Sequence, residues 1–183
     1  MSTPIDSRGK LFADGTAIDD ASSYRSLTGA LMYLTIMHLD LAFVMQQACL
    51  HMYDPRAPHM TMLKRILRYV QGTKSHDLHL RVSPTLDITA YFDADWAGCP
   101  KTQRSTLRFC IFLGESLVSW SSKHQPMVSC SSTEAEYRAI ANAAVKCIWL
   151  CQLLGKLHCH LNKATVAYCD NISVVAEHPS DMT

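Results

Sequence analysis

The sequence predicts an α/β protein: a mixed β-sheet flanked by helices, with a helical segment ahead of it. Three observations predict this class. Residues 22–71 carry apolar residues at helical spacing, punctuated by helix stops. From residue 77 the texture changes to short β-rich runs set off by turn residues. A long helical pattern over 133–156 is then followed by one more β-rich run, ATVAYCD (164–170). Strands, then helix, then strand describe a mixed sheet with helical cover. The chain thus reads as a polar tail or linker (1–21), a helical module (22–76) and an α/β module (77–183).

The elements follow in order. Residues 1–21 hold Pro4, Gly9 and Gly15 and show no sustained period. Ser22 or Ser23 is placed to cap a helix through Tyr24–Leu34. A second helical stretch follows Asp40 and ends before Asp54-Pro55. Pro58 opens a third, in which Met62, Leu63, Ile66, Leu67 and Val70 form a stripe that largely excludes Lys64, Arg65 and Arg68; Gly72 stops it. Next, DLHLRVSPTLDITAYFDAD (77–95) contains two β-rich runs around Pro84. STLRFCIFLG (105–114) and SLVSWSS (116–122) are two more, joined near Gly114-Glu115 as a hairpin. The long helix then ends near Gly155.

Composition narrows the function. With 183 residues, 48% of them apolar, the chain can bury a sizeable core. A formal net charge of +1 excludes a globally basic nucleic-acid binder, so any such binding relies on local clusters. Candidates are Lys101, Arg104, Arg108 and Lys123, with a second group, Lys64, Arg65, Arg68 and Lys74, that reads as a solvated helical face. His124 reads as a loop histidine, and Trp96, Trp120 and Trp149 as core. None of the eight cysteines forms a Cys-x-x-Cys pair, and His158-Cys159-His160 matches no common zinc spacing. Without a basic-then-apolar leader, the thiols read as mostly reduced and buried, in an intracellular protein of the cytoplasm or nucleus. ALMYLTIMHLDLAFVM (30–45), interrupted by His38 and Asp40, reads as buried helix, so no membrane partner is expected.

The carboxylates carry the chemistry. Alternation places Tyr91, Asp93 and Asp95 on one face of a strand and Ile88, Ala90 and Phe92 on the other. Asp95 reads as the start of the turn that Gly98 and Pro100 complete. In SCSSTEAEYRAIANA, Ser131 with Glu134 and Thr133 with Glu136 both fit a capping box. Glu134 shares a solvated face with Arg138. Glu136 heads the stripe 136, 140, 143, 147, 150, 154 that faces the core, where a carboxylate needs a positive partner. Asp170 ends its strand, and either binds a ligand there or caps a following helix. Three carboxylates from two strands and one helix are able to converge. A close pair repels by about 4 kcal/mol at ~4 Å and an effective dielectric of about 20. A hard divalent cation, Mg²⁺ or Mn²⁺, reverses that sign.

DADWAGCPKTQRST, WSSKHQPMVSCSSTEAEYRAIANA and VAYCDN closely resemble the ribonuclease H domain of copia-type LTR-retrotransposon polyproteins. YRSLTGALMYLT and CLHMYDPRAPHMTMLKRILRYVQGT resemble the end of the reverse transcriptase just before it. The resemblance covers most of residues 24–175. It implies a ribonuclease H-like fold, a five-stranded mixed sheet with helices on both sides, and metal-dependent hydrolysis of RNA in an RNA–DNA hybrid. It implies that Asp93, Glu136 and Asp170 are catalytic and hold Mg²⁺ or Mn²⁺. The absence of a Tyr-x-Asp-Asp motif argues against DNA synthesis.

The sequence also departs from that family. Leu107-Arg108 stands where the family usually reads Ser-Gly, and His38-Leu39-Asp40 where it reads Arg-Pro-Asp. The ending AEHPSDMT offers no match to the family's last strand, last helix and further catalytic acid, and neither His178 nor Asp181 sits in a matching context. The expectation is an incomplete domain with weak or lost activity, and a protein partner covering its exposed sheet edge. The alternative is a catalytically inactive, host-adopted module that binds nucleic acid or protein; a decayed copy without a selected role is the third reading.

Overall fold

The computed structural model describes residues 3–4, 15–76, 78–83, 85–99, 102–161 and 163–169. These divide into two compact units, with the link falling between Leu78 and His79.

The first unit is built from α1 (Ala21–Leu34), α2 (Leu39–Cys49) and α3 (Ala57–Gly72). Asp20, not Ser22 or Ser23, caps α1: its carboxylate accepts from the Ser23 amide at 2.9 Å. A carboxylate at an N-terminus also meets the positive end of the helix dipole. Tyr24, Leu31, Leu41, Val44, Met45, Ala48, Met62, Leu63 and Ile66 form one buried cluster. The Tyr24 hydroxyl donates to the Ala48 carbonyl at 2.9 Å, and burial pushes its pKa up to about 12. Of the α3 stripe, Leu67 turns out exposed. No helix among the described residues is long and apolar enough to cross a membrane.

The second unit is a mixed four-stranded sheet in the order β3-β2-β1-β4, comprising β1 (Ile88–Asp95), β2 (Thr106–Leu113), β3 (Ser116–His124) and β4 (Val166–Tyr168). β1–β2 and β2–β3 are antiparallel, and β4 joins β1 in parallel after the crossover through α4 (Ser132–Lys156). The alternation anticipated for β1 holds. Ile88, Ala90, Phe92 and Ala94 are buried with Leu107, Phe109 and Ile111 under α4, while Tyr91, Asp93 and Asp95 face the other way.

Four expectations need correction. Of the two β-rich runs expected over 77–95, only the second is a strand. The described residues 78–83 form no ladder, although the Arg81 amide and carbonyl are both bonded to the Ser116 hydroxyl, at 2.8 and 3.0 Å. The buried stripe of α4 runs through Ala135, Ala139, Ala143, Cys147 and Leu150, so half-buried Ile140 gives way to alanines. Small side chains let the helix axis approach the sheet, and bulkier ones are displaced to its flanks. The tryptophans are not core: Trp96 and Trp149 are exposed and Trp120 half-buried. Nor are the cysteines mostly buried. Cys99 and Cys147 are, Cys130 is exposed, and the other five are intermediate.

Gly114 has φ +56° in the two-residue hairpin turn, and a Cβ there would strike the Ser83 side chain. The turn therefore requires glycine twice over, for its backbone and for its space.

Candidate functional site

The C-terminal end of β1 is where chemistry-bearing residues gather. Asp95 closes the strand as a turn residue, as anticipated. Its carbonyl accepts the Gly98 amide at 3.3 Å, and its carboxylate lies where a Cβ on residue 98 would be. That leaves Asp93 as the acidic side chain within the strand.

Glu136 reaches the same place from α4. It is only 5% exposed, and its Oε1 accepts the Ala94 amide at 3.2 Å. Among the described residues β4 pairs with β1 as far as Tyr91, and the amide of Ala94, past the end of that ladder, takes a side-chain acceptor instead. The two capping alternatives separate cleanly. Ser131 caps α4 by accepting the Glu134 amide at 3.1 Å, and Glu134 reaches back to the Cys130 amide at 2.7 Å. Glu134 also pairs with Arg138 at 2.7 Å. The Cys130 amide, ahead of Arg138, holds Glu134 below the usual carboxylate range. Glu136 carries no part of that box.

Several residues given no site role in the sequence hold this corner. Gln125 is buried at the end of β3. Its amide nitrogen donates to the Ala135 carbonyl at 2.8 Å, and its side-chain oxygen accepts from the Ser129 hydroxyl at 2.9 Å. Its backbone amide donates to the Ser105 carbonyl at 2.8 Å. Trp96 donates from its indole nitrogen to the Ser129 carbonyl at 3.0 Å. Together they fix the segment entering α4 against the ends of β1 and β3, one residue ahead of Glu136. The only prior signal was a glutamine in a polar loop, which sequence pattern cannot tell from a solvated one.

Asp93 is partnered by Arg108, its directly opposite residue in the β1–β2 ladder. The guanidinium lies 2.9 Å from Asp93 Oδ2, and the side chains are 44% (Arg108) and 43% (Asp93) exposed. Of the other basic candidates, Arg104 and Lys123 are exposed. Lys123 pairs in register with Leu107 and Arg108 with Ser122, so alternation sends Lys123 and Arg108 to opposite faces. His124 ends β3 rather than lying in a loop. Its Nδ1 is 3.2 Å from the Thr106 hydroxyl, and burial, then the charge of Arg104, lowers its pKa against an opposing pull from Asp95. Lys101 and Asp170 lie outside the described residues.

Asp93 and Glu136 supply hard oxygen donors, which fit Mg²⁺ or Mn²⁺ in ligand chemistry. Among the described residues no group of three histidine, cysteine or acidic side chains is assembled to hold a metal.

The fold and site define an α/β domain with acidic residues at the end of its central strand. No protein-family model and no solved structure matches the chain. Among curated proteins, it is 44% identical over 149 residues to an uncharacterised mitochondrial protein of Arabidopsis thaliana, covering 81% of this chain and 62% of that protein. It is 40% identical over 173 residues to the retrovirus-related Pol polyproteins from the Arabidopsis thaliana transposons RE1 and RE2, covering 94% of this chain and 12% of each polyprotein. A secreted RxLR effector protein, number 161 of Plasmopara viticola, is 40% identical over 128 residues, 90% of its length and 69% of this chain. The chain's homologues thus include retrotransposon Pol polyproteins, and that homology supports a retroelement-derived domain; the chain spans less than two thirds of the length of the polyproteins and of the mitochondrial protein.

Proposed function

We propose that the second unit is a ribonuclease H-like domain whose reaction is hydrolysis of the RNA strand of an RNA–DNA hybrid. The observation that carries this reading is the reach of Glu136. A buried helix glutamate delivers its carboxylate to the backbone one residue past Asp93. A carboxylate so deeply buried needs hydrogen-bond partners, and the Ala94 amide is one.

In this reading Asp93, Glu136 and Asp170 would hold Mg²⁺ or Mn²⁺. When bound, the cation would polarise the scissile phosphodiester and acidify the attacking water. The chain's own residues supply the rest. The Ala94 amide orients Glu136. Gln125, Ser129 and Trp96 hold the start of α4 so that Glu136 keeps its place. Exposed Arg104 is available to the hybrid's phosphates. A labelled RNA–DNA hybrid incubated with the protein and Mg²⁺ or Mn²⁺ tests the proposal. RNA cleavage that falls by at least about 100-fold in Asp93→Asn and in Glu136→Gln is the expected result. Equal behaviour of wild type and Asp93→Asn removes the catalytic assignment.

One observation favours the second reading, a catalytically silent interaction module: Asp93 already has a positive partner in Arg108. Under it, hybrid binding persists in Asp93→Asn and without divalent cation.

A further inference from the structure

We propose that Arg108 is a built-in competitor for the divalent cation at Asp93, and that it sets how weakly the acidic site binds that cation. The inference rests on the reading of Asp93 and Glu136 as cation ligands. Its basis is the register of the sheet. Asp93 and Arg108 are direct partners in the antiparallel β1–β2 ladder, so their side chains leave the same face side by side. β2 is an interior strand, paired to β1 on one side and β3 on the other. Leu107 and Phe109, on either side of Arg108, are buried beneath α4. The backbone of Arg108 therefore has no freedom to withdraw, and only side-chain rotation moves the guanidinium off the carboxylate.

Two effects then oppose a cation. The guanidinium lies 2.9 Å from Asp93 Oδ2, an oxygen that a small hard cation would need at much shorter range. A fixed positive charge beside the site also repels a second one, and a half-exposed position screens this only in part. The β3 partner of Arg108 is Ser122, which brings no charge of its own to this row.

The test is Mn²⁺ binding to the full chain, read from the electron paramagnetic resonance signal of free Mn²⁺, with folding checked by circular dichroism. Arg108→Ser and the longer, neutral Arg108→Gln are each expected to bind Mn²⁺ about tenfold more tightly than wild type. Arg108→Lys, which keeps the charge, is expected to stay near wild type. Adding Asp93→Asn to Arg108→Ser is expected to erase the gain. In the wild-type protein, Mg²⁺ is expected to shift the Arg108 side-chain NMR resonance as the guanidinium is displaced, a readout that needs no variant to fold. Should Arg108→Ser and Arg108→Gln bind Mn²⁺ no more tightly than wild type while binding still depends on Asp93, Arg108 is no competitor and the ligand assignment survives. Arg108 is equally ruled out as a competitor if Mg²⁺ perturbs the Asp93 carboxyl and leaves Arg108 unmoved. Should no form bind Mn²⁺ through Asp93, the ligand assignment and this inference fall together.

Discussion

A single buried glutamine ties three parts of the second unit together. Gln125 satisfies the Ala135 carbonyl, the Ser129 hydroxyl and, through its backbone, the Ser105 carbonyl. Truncation strands the Ala135 carbonyl and the Ser129 hydroxyl away from water while the backbone bond to Ser105 remains, so Gln125→Ala should destabilise the unit by about 1–3 kcal/mol in urea unfolding. A change below about 0.5 kcal/mol would show that water replaces the side chain freely. Tyr24 has the matching role in the helical unit. Tyr24→Phe removes the donor to the buried Ala48 carbonyl, with an expected loss of about 1–2 kcal/mol. His124 adds a pH dependence. Its folded pKa is lowered from 6.5, so the unfolded chain takes up the proton more readily. Its contribution is therefore complete above about pH 6.5 and shrinks as pH falls through the lowered folded value. Urea midpoints measured at several pH values between 7.5 and 5 should decline more steeply in wild type than in His124→Gln. Parallel profiles would remove His124 from the acid sensitivity.

At the scale of elements, α4 and the hairpin set the geometry. The alanine ladder of α4 at 135, 139 and 143 holds the helix close to β1, and that closeness brings Glu136 within reach of the Ala94 amide. Ala139→Leu forces extra volume into a fully buried contact, at an expected cost of about 1–3 kcal/mol. If the helix lifts, Glu136 loses its bond as well, so the cation binding proposed for it should fall with stability. The β2–β3 turn is set by Gly114, whose positive φ and contact with Ser83 leave no room for a side chain. Displacing this turn would slide the β2–β3 register that pairs Arg108 with Ser122.

For the molecule as a whole, each unit has its own core: one of tyrosine, leucine and methionine among three helices, one between sheet and α4. Tyr24 and Gln125 share no bonding partner. Losses in Tyr24→Phe and Gln125→Ala should therefore add, within about 0.5 kcal/mol, in the double variant. The chain spans 12% of the length of the RE1 and RE2 polyproteins.

By itself the sequence determined what depends on local periodicity and local sterics. The three helices, the hairpin at Gly114, the long helix, the strand Ile88–Asp95 with its two faces, and the turn at Asp95 were all readable, because the 3.6 and 2 periods and the turn residues act over a few positions. What pairs across the sheet was decided only by tertiary structure. Nothing local distinguishes Arg108 as the residue opposite Asp93, Gln125 as buried rather than solvated, or alanines rather than Ile140 as the α4 contact. Apolar spacing equally failed to show that residues 78–83 lack a ladder, since a strand exists only when a neighbour offers its backbone groups. Ladder register, burial and ion pairing are properties of residues brought together from distant parts of the chain, and their free energies appear only once the chain has folded.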